Sequence, residues 1–181
     1  MAALIRIAFD DTLLPKVEAF DCGSELWQLE VSEWIKGPRG SDGAINDIEN
    51  GTSVWLYANE AGEVVGFGSL GESVQRWPGP KDLKIPASAI PFMAVERKFW
   101  GQPPGSWETR YATQILLDIV AEAQLHRNAR KILKLLVYEG NMAAIKLYKR
   151  VGFVEFHQPR KDPNGLLYKR MALDLTAEHS A

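Results

Sequence analysis

A mixed α/β sheet covered by helices is the fold that the order of elements predicts. Three observations carry this expectation. Val54–Ala58 and Val64–Leu70 are β-rich runs on either side of Asn59-Glu60-Ala61-Gly62-Glu63, whose Gly and polar residues suit a hairpin loop. Ala112, Ile115, Leu116, Ile119, Val120 and Ala123 recur at helical spacing and line one face of an amphipathic helix over 107–126. Ile132–Tyr138, a helix opened by Asn141 and stopped by Gly152, and Val154–His157 then form a strand-helix-strand unit.

The remaining elements fall around these. Leu4–Phe9 reads as a first strand, 24–36 as a helix, and Ala44–Asn50 as a short helix beyond the Gly- and Pro-rich breaker 37–43. Glu72 to Ala89 holds Trp77-Pro78-Gly79-Pro80 and Pro86, a composition that resists helix and central strand, so a long surface loop is expected there. Ile90–Val95 resumes as a strand, Pro159 to Gly165 reads as a turn, and Leu166–Leu175 as a last strand. The whole is expected to be one domain over 1–181, with a frayed tail at 176–181.

Composition excludes several classes of function. With 181 residues, 46% hydrophobic and 24% charged, the chain has an ordinary globular composition. Lys plus Arg number 21 against 23 Asp plus Glu, so the net charge of −2 gives no whole-protein field for a polyanion, and DNA is not expected as a partner. No apolar run is long enough to span a membrane, no basic-then-apolar leader opens the chain, and a cytoplasmic location is expected. Cys22 stands alone, which excludes an internal disulfide and a Cys-rich zinc site, and reads as a small buried hydrophobe. His126, His157 and His179 lack metal-ligand spacing, so no metal is assigned.

Asn141, Ala144, Leu147, Tyr148, Gly152 and Phe153 stand at the spacing N-x-x-A-x-x-L-Y-x-x-x-G-F behind a strand. Physically, Asn141 suits a helix cap, Gly152 a left-handed C-terminal position, and Phe153 the start of a returning strand. Here the sequence resembles the GNAT superfamily of acyl-CoA-dependent N-acetyltransferases. The resemblance implies a central mixed sheet of about 6–7 strands whose parallel central strands splay apart, flanked by about 4 helices, by the usual order of such a fold.

It further implies acetyl-CoA as cosubstrate, with the main chain of Met93, Ala94 and Val95 pairing the pantetheine arm and an amide near Val95 polarising the thioester carbonyl. The family's Q/R-x-x-G-x-G/A phosphate-binding turn is interrupted. Phe99-Trp100-Gly101-Gln102 looks like its beginning and Arg110-Tyr111-Ala112-Thr113 like its end, while 103–109 intervene and Pro103 and Pro104 offer no amide. Gln102, Arg110, Tyr111, Ala112 and Thr113, together with Asn141, are the cofactor-binding candidates. For Arg110, direct charge-assisted contact with phosphate and a solvated surface position both stay open.

For catalysis the resemblance puts Tyr148 in the place of the acid that protonates the departing CoA sulfur. For the base it offers no fixed position, so Glu96, Glu72 and a chain of waters remain alternatives. Arg127, Arg130 and Lys131 either meet a ribose phosphate or complement a helix end. Trp77 and Trp100 either wall an acceptor pocket or pack their loops. The function this implies is transfer of acetyl from acetyl-CoA to a primary amine of a small molecule or peptide by direct attack in a ternary complex. The rival readings are a non-catalytic acyl-CoA-binding regulator and acetylation of a macromolecular amine such as a protein N-terminus or an aminoacyl-tRNA. A homodimer is possible, as for many such proteins.

Overall fold

The computed structural model describes residues 4–37, 42–77, 83–104 and 106–177, apart from the side chains of Trp77 and Leu83. The chain forms two compact units, Met1–Leu70 with Phe92–Ile119, and Gly71–Pro91 with Val120–Ala181.

In the first unit, β1 (Ile5–Ala8), β2 (Ser53–Ala58) and the near half of β3 (Val64–Trp77) pair antiparallel in that order. The hairpin loop between β2 and β3 closes on Asn59, whose Oδ1 accepts from the amides of Ala61 and Glu63. Between β1 and β2 lie α1 (Leu14–Val17), α2 (Leu26–Lys36) and α3 (Ala44–Glu49). Glu25 and Gln28 close a capping box at the start of α2. The buried core gathers Phe9, Val17, Phe20, Trp34, Ile35 and Phe67, with the Trp34 ring tilted against Phe92 at 4.5 Å and its indole donating to Asp47. Cys22 is buried among them, and burial pushes its thiol up to about 11, so at neutral pH it is an inert hydrophobe.

The expected loop over Glu72–Ala89 is corrected by the structure. The far half of β3 pairs antiparallel with β4 (Leu83–Ile90) from Gly71↔Ala89 to Trp77↔Leu83, while 78–82 lie outside the described residues. Pro86 fits in this strand because pairing of β4 with β6 begins only at Ser88, so at Pro86 the strand has β3 alone beside it. Val74, opposite Pro86, has its carbonyl taken by the Lys134 ammonium at 2.6 Å. The expected strand Ile90–Val95 is likewise divided: β4 ends at Ile90, and β5 (Met93–Val95) pairs with β3 from Gly68↔Met93 to Gly66↔Val95. Gly68 faces Met93 whereas Gly71 faces Ala89, so three steps on β3 match four on the opposite chain, which is a bulge. Ser69 fills it, its hydroxyl donating to the Phe92 carbonyl and accepting from the Phe92 amide.

In the second unit β4 pairs parallel with β6 (Ile132–Tyr138), and β6 pairs antiparallel with β9 (Leu167–Asp174). Two short strands, β7 (Val154–Glu155) and β8 (Arg160–Lys161), flank β9 on its other side. The expected strand to His157 stops early: β7 ends at Glu155, Phe156 keeps one hydrogen bond from its amide to the Arg170 carbonyl at 3.0 Å, and His157 adopts a positive φ of 61°. The expected turn after Pro159 contains β8. Of the tail, 178–181 lie outside the described residues, and Thr176 folds back through its amide onto Asp174. Nine strands and five α-helices among the described residues thus exceed the expected numbers through β8, the divided β4–β5 chain and α1, while the mixed α/β class is the one observed.

α4 (Tyr111–Leu125) runs from one unit into the other and buries Ile115, Leu116, Ile119, Val120 and Ala123, the face read from the sequence. It starts later than Trp107, because 107–109 form a separate short helical turn. α5 (Met142–Val151) is bounded as its sequence demands: Asn141 Oδ1 accepts from the Ala144 amide at 3.2 Å, and Gly152 has a φ of 104°. Asn141→Ala is expected to lower stability by about 1 kcal/mol, measured by denaturant unfolding at neutral pH.

Candidate active site

The central feature of the first unit is the free edge of β5. Ser69 N–H donates to the Phe92 carbonyl at 3.0 Å and Glu96 N–H to the Val65 carbonyl at 2.9 Å. Antiparallel pairs alternate, so Phe92, Ala94 and Glu96 spend their main-chain groups on β3, and Met93 and Val95 turn theirs the other way. Trp100 takes one of these, its indole N–H donating to the Val95 carbonyl at 3.0 Å. Among the described residues no second strand pairs with β5, which leaves the Met93 N–H and C=O and the Val95 N–H along a half-buried edge. Sequence reading nominated Met93, Ala94 and Val95 together; the register separates Ala94, engaged with Phe67, from the other two.

Glu96 follows directly. Its side chain is 18% exposed, and burial raises its carboxyl above the ordinary range despite Lys98 Nζ at 3.7 Å. Glu63 and Asp21 add a smaller push in the same direction. Glu72, the other carboxylate weighed as a base, is exposed in the second unit and ion-paired with Arg130, which also commits that member of the basic group after α4.

The interrupted turn has a definite hydrogen-bond pattern. The Tyr111 amide donates to the Gln102 carbonyl at 2.8 Å, and the Thr113 and Gln114 amides both donate to the Arg110 carbonyl. Thr113 is buried, its hydroxyl donating to the Trp107 carbonyl at 2.6 Å. The Tyr111 ring meets Phe99 edge-on at 5.9 Å. Ala112 is therefore the amide of this first helical turn with no acceptor among the described residues, and the exposed Arg110 guanidinium makes no ion pair among them. The side chain of Trp77 lies outside the described residues, and Trp100 is 49% exposed.

In the second unit Tyr148 lies buried on α5 with its ring 5.7 Å from Phe153. Burial pushes its phenol up to about 12, so it is protonated throughout the physiological range. No helix among the described residues is long and apolar enough to cross a membrane.

Residues 23–153 match the Acetyltransferase (GNAT) family, and the chain belongs to that family. Solved structures agree in fold. A bacterial toxin superposes with a TM-score of 0.68 at 18% identity, covering 97% of this chain and 92% of its own. The AtaT toxin, as a tyrosine-to-phenylalanine mutant bound to the C-terminus of the antitoxin AtaR and to acetyl-CoA, gives 0.66 at 15% identity, with coverage of 95% and 93%. The spermidine/spermine N-acetyltransferase SpeG from Vibrio cholerae gives 0.59 at 16%, with coverage of 96% and 93%. No curated protein matches the chain in sequence.

Proposed function

We propose that the chain, acting as one transferase domain, moves the acetyl group of acetyl-CoA to a primary amine by direct attack in a ternary complex. The observation that carries this reading is the free β5 edge. Met93 N–H and C=O are a donor and an acceptor for the amide-rich pantetheine arm, and the Val95 N–H is a donor for the thioester oxygen as it gains charge. The acetyl-CoA-bound relative of the same fold supports the cosubstrate. Phosphate binding falls to the Ala112 amide at the start of α4, the Arg110 guanidinium and the Gln102 side chain, with Tyr111 and Thr113 holding the backbone around them, and Asn141 at the start of α5 is a further cofactor-binding candidate.

The reaction then runs in balanced steps. Glu96 takes a proton from the ammonium of the acceptor, and the freed amine attacks the carbonyl carbon, its electron pair forming the C–N bond. The oxyanion collapses, the C–S bond breaks, the Tyr148 phenol protonates the departing sulfur, and the second proton on the attacking nitrogen leaves to solvent, from which the phenolate is reprotonated. The acid limb of the rate profile belongs to Glu96: the rate rises as its carboxyl ionises, and burial places that rise above the ordinary carboxylate pKa of about 4.3. Glu96→Gln is expected to lower kcat/KM and erase this limb. A profile that keeps the limb in the variant assigns the base to water and removes Glu96 from the mechanism.

A further inference from the structure

Among the outward-turned main-chain groups of β5, the Val95 carbonyl is already taken, and a side chain takes it: the Trp100 indole N–H donates to it at 3.0 Å. An extended residue turns its N–H and C=O to the same side of the strand. The indole therefore stands on the β5 edge beside the Val95 N–H, the donor assigned to the thioester oxygen.

Little else holds the ring. Trp100 is 49% exposed, and among the described residues its side chain makes no other hydrogen bond and no aromatic contact. The turn beneath it is fixed separately, the Trp100 amide donating to the Arg97 carbonyl at 3.2 Å and the Gln102 amide to the Phe99 carbonyl at 3.0 Å. The next residue, Gly101, has a φ of 74° and open space where a Cβ would stand. Rotation about the Trp100 side-chain bonds thus frees the carbonyl for the loss of one hydrogen bond, with the backbone of the turn in place.

The cosubstrate has a use for that carbonyl. Pantetheine carries two amides and so two N–H donors, whereas the edge with Trp100 docked offers one carbonyl, that of Met93. A second amide N–H brought against this half-buried edge without an acceptor costs more than a made hydrogen bond returns. The Val95 carbonyl is the remaining acceptor on the edge, and with it two donors meet two acceptors.

We infer that Trp100 is a gate on the acetyl-CoA site: its indole covers the Val95 carbonyl until the cosubstrate arrives, and an amide N–H of the pantetheine arm displaces it. The gate rests on the reading of the β5 edge as the acetyl-CoA site.

Trp100→Phe keeps an aromatic ring and loses the donor. By calorimetry it is expected to bind CoA and acetyl-CoA about three- to tenfold more tightly than the unmodified protein, the factor that one net hydrogen bond makes. 3′-Phosphoadenosine 5′-diphosphate, which is CoA without its arm, is expected to bind both proteins alike. Weaker or unchanged binding of CoA by the variant overturns the gate, and so does an equal gain for the armless nucleotide, which would assign Trp100 to the phosphate turn that it opens. NMR reads the bond itself. Among the six tryptophans, the indole N–H resonance missing from the variant belongs to Trp100, and it is expected to move upfield and exchange faster with water when acetyl-CoA saturates the protein. A resonance that stays in place and protected overturns the proposal. If neither protein binds any CoA species, the transferase reading of the β5 edge fails and the gate with it, whereas tight binding by both with equal affinity removes the gate alone.

Discussion

Tyr148→Phe is expected to reduce kcat by about a hundredfold or more, the scale of a positioned general acid, with the KM for acetyl-CoA unchanged. The substitution removes one oxygen and keeps the ring against Phe153, so packing on α5 is preserved. Because the phenol is pushed up to about 12, the native group remains an acid at every pH at which the protein is assayed. The loss is therefore expected to be flat from pH 6 to 9 rather than confined to one limb. Steady-state kinetics with acceptors of different amine basicity, read alongside CoA release, measure it. A variant with full turnover removes Tyr148 from the proton path and leaves sulfur protonation to water.

Gly66→Ala is expected to have the second large effect, on both stability and cofactor binding. A Cβ at Gly66 meets the Ala94 carbonyl oxygen at 2.4 Å and Ile115 Cδ1 at 2.8 Å. Backbone cannot rotate away as a side-chain tip does, so β5 itself must shift, at a cost of about 1–3 kcal/mol for such overpacking. The moved strand carries the Met93 and Val95 amides, and the KM for acetyl-CoA is expected to rise. Gly68→Ala is the internal control. Its Cβ meets Ile119 Cδ1 at 2.4 Å and otherwise only Ile side-chain atoms. It is expected to lose stability through strain on α4 while leaving acetyl-CoA binding close to that of the unmodified protein. Urea unfolding and acetyl-CoA titration of both variants compare them directly, and equal effects on cofactor binding would detach β5 from that role.

What was legible in the sequence was what local chemistry determines. Asn141 and Gly152 bound α5 because capping and left-handed backbone need only their own side chains and neighbours. The α4 face was legible because its spacing is helical over several turns. The stretch 72–89 was not, since its Pro and Gly content resembles that of a loop, and Pro86 is acceptable only because β6 pairs beyond it. The bulge after Ile90 depends on the register of β3, and with it goes the distinction between Ala94 and its neighbours Met93 and Val95. The raised carboxyl of Glu96 comes from burial that its sequence context does not announce.

Titration of the protein with acetyl-CoA, followed by the thermal unfolding midpoint with CoA, a longer acyl-CoA and NAD alongside, tests the central claim most directly. At about 100 times Kd a ligand stabilises the folded state by roughly 2.7 kcal/mol, which for a chain of this size raises the midpoint by several degrees. The expected result is such a rise with acetyl-CoA and CoA and none with NAD. An unchanged midpoint with every CoA species at millimolar concentration would contradict the account, leaving a GNAT fold without its cosubstrate.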